Sequence, residues 1–183
     1  MVRMPELKPE DLDEETRKLG EQIARNRGGS IRGPWAHMLR NPQLAARAAS
    51  YSDHFRDGIS VPQKLARLAI IMTARHWNAG FVWNAQSPHA RSAGISESAI
   101  EAIRVKKTPS FADPAETAVY QLFSELYGRQ SVSDATYAAA ERALGQKGVI
   151  EILNVAGFYA IIASIVVTTG VPPGHGASDP FAA

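Results

Sequence analysis

Apolar residues recur along this chain at three- and four-residue spacing, and no stretch shows the strict apolar–polar alternation of a half-buried strand. The pattern predicts a series of helices punctuated by Gly, Pro and Asn. One, charged and amphipathic, runs from Pro9 to about Arg27 and ends at Gly28-Gly29. Gly33-Pro34 opens a short segment, PWAHMLR. Asn41 as N-cap, with Pro42 at the first helical position, starts a helix that stops at Gly58. Ser60-Val61-Pro62-Gln63 reads as a capping box heading a long helix to about Ala85, before Pro88. Ser96 caps ESAIEAIRV. Asp113-Pro114-Ala115-Glu116 reads as a second capping box, heading a helix to Tyr127. Ser133 caps DATYAAAERAL, which Gly145 ends. Gly148 then opens a strongly apolar helix that Gly170-Val171-Pro172-Pro173 stops. There is no internal repeat and no linker long enough to divide the chain. The expected architecture is one all-α domain over residues 1–183, with an N-terminal helix in 1–29 and a tail in 171–183 that forms a loop or arm.

The segment Val149 to Thr169 raises the question of a membrane. Glu151 and Asn154 interrupt it near its start, and it lacks the basic or aromatic flanks of a spanning helix. A helix buried on all sides is the expectation, partly by another subunit, so a homo-oligomer (dimer, trimer or hexamer) is expected and no membrane partner. Composition agrees with a globular chain: 45% hydrophobic and 21% charged residues leave enough apolar surface for a core. The net charge of +2 is not concentrated, because Arg25, Arg27, Arg32, Arg40 and Arg47 are scattered among acids, so no nucleic-acid partner is expected. The N-terminus has no apolar stretch that would read as a signal peptide, which makes the cytoplasm the expected location. With no cysteine, disulfides, thiolate nucleophiles and thiolate metal sites are excluded.

The stretch ARHWNAGFVWNAQSPHARSAGI, ending at Ile95, carries the most specific pattern. Ala74-Arg75, Trp77, Phe81, Trp83, Ala90 and Ala93-Gly94 resemble the spaced motif of non-thiol members of the carboxymuconolactone decarboxylase (AhpD-like) family, with Phe81 in place of Tyr. GPWAHMLRNPQLA, SVSDATYAAAERALGQKGVIEI and GFYAIIASIVV extend the likeness over about residues 30 to 175. The resemblance implies an all-helical fold, assembly as trimers or hexamers, and decarboxylase or related lyase chemistry. The departures fall on the family's proton relay. Arg67 stands where an acid is usual, Ala79 and Val82 where the peroxidase members place Cys-x-x-Cys, Val82 where non-thiol members place Glu, and Gln86 where a His follows.

The chemistry left on this stretch is carried by a few side chains. On an unbroken helix, Arg67, Asn78, Val82 and Gln86 share one stripe with His89 beyond them, and His76 and Trp83 lie on the neighbouring stripe. Arg67 is a fixed cation suited to a carboxylate. It either holds an anionic ligand or pairs with an acid distant in sequence, such as Asp53, Glu116 or Glu151. His76 and His89 are the candidate acid–base groups. Asn78 and Gln86 are placed to hold a carbonyl, with Phe81, Val82 and Trp83 as apolar lining. His76 and His89 have no carboxylate between them and no recognised metal spacing, so no metal is expected, and no cofactor motif is present. Tyr51, Asp53 and His54 form a further polar cluster, and His175 lies in the tail. The functional expectation is a cofactor-independent enzyme acting on a small, anionic or oxygenated molecule by decarboxylase, lyase or isomerase chemistry. The alternative is a non-catalytic oligomeric ligand-binding or scaffold protein with a degraded site.

Overall fold

In the computed structural model, which describes residues 2–174 and 177–182, helices start where a short polar side chain can accept from a free backbone N–H. After a 3-10 turn at Pro9–Asp11, Asp13 accepts from Thr16 N and begins α1 (Glu14–Arg25). Pro34 heads the short α2 (Pro34–Met38). Asn41 accepts from Leu44 N and begins α3 (Pro42–Asp57). The next two helices, α4 (Gln63–His76) and α5 (Gly80–Ser92), have no side-chain cap. Ser96 accepts from Ala99 N at α6 (Glu97–Arg104), Asp113 from Ala115 N at α7 (Pro114–Arg129), and Ser133 from Thr136 N at α8 (Asp134–Thr169). No strand occurs among the described residues.

Three expectations are corrected. The single long helix from Ser60 is two helices, because Asn78 adopts the left-handed conformation (φ 50°) and breaks the run between His76 and Gly80. Asparagine takes this conformation at lower cost than most residues. The second helix then passes through Pro88 rather than ending before it. Neither capping box closes. Ser60 donates its hydroxyl to Glu151 Oε2 (2.7 Å), and Gln63 donates to Phe55 O and Arg56 O. Glu116 accepts from Lys64 Nζ (2.7 Å) instead of reaching back to its own N-cap. These long-range bonds tie α4 to α3, α7 and α8.

Within the single chain the most buried helix is α4, and the apolar C-terminal helix keeps an exposed face. Every residue from Leu68 to Ala74 is buried, and α4 packs against α5, α7 and α8. Along α8, helical dihedrals are interrupted at Gly145 (φ 68°, ψ 166°), and the stretch beyond it lies against α4 and α7. By length and composition α8 could cross a bilayer, yet in this fold it is a packed helix with less than half of its most apolar window buried. The N-terminal segment closes its far end: Arg3 N donates to Thr169 O (2.8 Å), and the Arg3 guanidinium donates to Val167 O and Thr168 O. A cation at free helix-end carbonyls also complements the helix dipole.

Candidate ligand cleft

A cleft of about 1010 Å³ opens between α3, α4, α5, α8 and the tail. Its apolar walls come from Trp35, Phe55 and Phe158, whose rings pack together at 5.8–6.4 Å, and from Ile70, Val82 and Ile162. Its size suits a small organic molecule with an apolar body. Its polar lining includes Arg27, Arg32, Arg56 and Arg67, the acids Glu6 and Asp53, and the amides of Asn84 and Gln86. Arg67 projects from α4 and donates from Nη1 to Gln86 Oε1 on α5 at 2.8 Å. Among the described residues no carboxylate stands within ion-pair distance of Arg67. The three acids that sequence separation left open to it are engaged elsewhere. Asp53 accepts from Arg27 (2.8 Å), Glu116 from Lys64 (2.7 Å), and Glu151 from Ser60, with Lys147 at 3.5 Å.

Of the other arginines lining the cleft, Arg56 pairs with Asp53 and Asp57, Arg32 is exposed, and Arg27 is spent on structure. It donates to Ile23 O, Ala49 O and Asp53, and its guanidinium lies 4.3 Å from the centroid of Trp35. The Tyr159 phenol belongs to the cleft as well. Burial holds its pKa above the ordinary tyrosine value, and the nearby Arg67 and Arg27 charges only partly offset this. The hydroxyl is therefore a neutral donor across the physiological range. Sequence reading passed over Tyr159. Its only signal is its place in the GFYA segment of an apolar helix.

The fold brings together Arg67, Phe81, Val82, Gln86 and His89 around this cleft, with the His89 side chain exposed at the mouth. It separates the others. His76 does not reach the cleft: its ring stacks on Tyr127 (4.3 Å, 13°), where burial and then the Lys106 charge lower its pKa. Asn78 accepts from Arg75 on the same outer surface. Trp83 is buried edge-on against Phe181 (5.3 Å) and lines no part of the cleft. The break at Asn78 turns α5, with Trp83, relative to α4, whereas His76 precedes the break and lies on the side of α4 away from Arg67. Of the polar cluster, Asp53 lines the cleft, while Tyr51 donates to Asn154. His175 lies outside the described residues. Among the described residues no three His, Asp or Glu converge as a metal site.

Neither a protein-family profile nor a curated protein sequence matches the chain. A solved structure does. The debrominase Bmp8, crystallised as a Cys-to-Ala variant with 2,3,4-tribromopyrrole, matches with a TM-score of 0.74 at 14% identity, over 96% of this chain and 91% of that chain. The match is to the helical architecture from end to end, so the all-α, AhpD-like fold class holds. At that identity the likeness speaks for the fold and leaves the chemistry to the residues.

Proposed function

We propose that this protein is an enzyme acting on a small organic anion, by decarboxylation or a related lyase or isomerase step that needs only acid–base and electrostatic catalysis. The observation that carries this reading is Arg67: a guanidinium inside an aromatic-walled cleft, oriented by the Gln86 amide, with no carboxylate within ion-pair distance among the described residues. A cation so placed is set for a ligand's negative charge. The debrominase of the same fold binds a small planar ring, 2,3,4-tribromopyrrole. A comparable ring has room here against Trp35, Phe55 and Phe158.

In decarboxylation the bond to the departing carboxyl carbon breaks, carbon dioxide leaves, and the electron pair passes into a neighbouring carbonyl. A proton must then return to carbon. Arg67 stabilises the negative charge that develops on the carbonyl oxygen. Tyr159 donates a hydrogen bond to the same oxygen, its phenol kept protonated by burial. His89, at the mouth, exchanges the proton with solvent. A second reading, a binding protein without turnover, is favoured by one observation: among the described residues the one imidazole at the cleft, His89, is exposed. Incubation with carboxylated lactones and β-keto acids in deuterated water, followed by NMR, separates the two. The expected result is carbon dioxide release with deuterium at the α-carbon, slowed by roughly a hundredfold or more in Tyr159→Phe. A bound acid that neither loses carbon dioxide nor exchanges a proton identifies the binding protein.

A further inference from the structure

We propose that residues 171–174 and 177–182 are a releasable outer wall of the cleft, and that Phe181, which does not line the cleft, is the latch that holds them. The segment leaves α8 at Gly170, and Val171 to Gly174 pass directly along the cleft, joined by Ala177. One side chain ties both ends of this passage. The Asn84 amide, on α5, donates to Pro173 O (3.0 Å) and to Ser178 O (3.3 Å). Farther on, Arg104 donates to Pro180 O (2.7 Å).

Phe181 is the one large apolar anchor. Its ring meets the edge of Trp83 at 5.3 Å and lies 4.5 Å beneath the Arg75 guanidinium. Arg75 is itself fixed by donating to Arg104 O (2.6 Å) and to Asn78. Gly80 lets the chain pass, since a Cβ there would come within 3.1 Å of Pro180 Cδ. Arg75 and Trp83 stand out in the sequence pattern yet touch no part of the cleft. In this fold they form the seat for Phe181.

The fastening is of a kind that opens separately from the core. It consists chiefly of the Phe181 contacts with Trp83 and Arg75, the packing of Val171, and three side-chain bonds to tail carbonyls, against buried helices. Release would open the cleft at its outer side, and the latched segment limits the size of the molecule that stays inside. This holds whatever molecule the cleft takes, so its test uses no ligand.

The chain's lack of cysteine makes a single introduced thiol a clean reporter. Val82→Cys places a thiol at a buried position lining the cleft, and Val119→Cys places one at a buried position on α7 away from it. Each is labelled with iodoacetamide, with Phe181 intact and with Phe181→Ala. The expected result is labelling at 82 faster by roughly tenfold or more in Phe181→Ala, with 119 unchanged, and slow labelling restored by Phe181→Tyr. Ala66→Cys, also buried against the cleft, reports the same opening if Val82→Cys does not fold. An unchanged rate at the cleft thiol, or equal acceleration at both sites, would overturn the proposal.

Discussion

His37 shows how one side chain makes this fold sensitive to acid. It is only 6% exposed, its Nδ1 accepts from Arg40 at 3.3 Å, and its Nε2 has no partner among the described residues. Burial, and then the Arg40 charge, lower its pKa, with Glu6 opposing. The unfolded chain takes up this proton near the ordinary value of 6.5, and the folded chain only at lower pH. Between those values the unfolded state holds more protons, so stability falls as pH drops below about 6.5 and levels off beneath the folded pKa. His76 adds a change of the same sign. Thermal melts between pH 5 and 7.5 should show the melting temperature falling with acid, and falling less steeply in His37→Asn; equal slopes would contradict this. At this scale the sequence shows that Arg67 has no acid among its helical neighbours Gln63, Lys64, Ile70 and Ile71, and the fold places it at the cleft. The sequence was silent at Tyr159, because only long-range packing puts that phenol beside Arg67. It misplaced His76, whose ring stacks on Tyr127 of α7, a contact between helices that periodicity along one helix does not reveal.

Helix starts were legible because an N-cap is local chemistry: Asn41, Ser96, Asp113 and Ser133 each accept from the backbone N–H that their spacing indicates. Gly145 was legible as a break for a related reason, since its dihedrals lie in a region essentially reserved for glycine. The break at Asn78 was not, because the apolar spacing runs on across it. Nor were the lost capping boxes, where Glu116 and Ser60 prefer partners on other helices. The apolar helix α8 bears directly on assembly. Its Ile150, Ile161 and Val167 are 62%, 54% and 43% exposed, and Ile150 borders an apolar groove shared with Leu126 and Tyr137. An exposed apolar groove of this kind commonly marks a protein–protein contact. We therefore expect a homo-oligomer, with light scattering at low micromolar concentration giving a multiple of the 19.8 kDa chain mass. A particle of 19.8 kDa would contradict it.

Across the whole molecule, the buried α4 is the frame on which the cleft is built: one side of it packs in the core with α7, and the other presents Ala66, Arg67 and Ile70 to the ligand space. The tail closes that space from outside. Its docking was beyond sequence reading, because Phe181 is seated by Arg75 and Trp83, about a hundred residues earlier in the chain. The match in architecture to the debrominase spans nearly the entire chain, whereas the residues inside the cleft define a site without a thiol.

The central claim is that Arg67 holds the charge of an organic anion. Isothermal titration of the protein with a panel of small aromatic and lactone carboxylates, beside the same acids as methyl esters, tests it most directly. The expected result is a carboxylate that binds the intact chain, binds Arg67→Ala more weakly by about 2–5 kcal/mol, and loses affinity on esterification by a similar amount. Equal affinity for acid and ester, undiminished in Arg67→Ala, would contradict it.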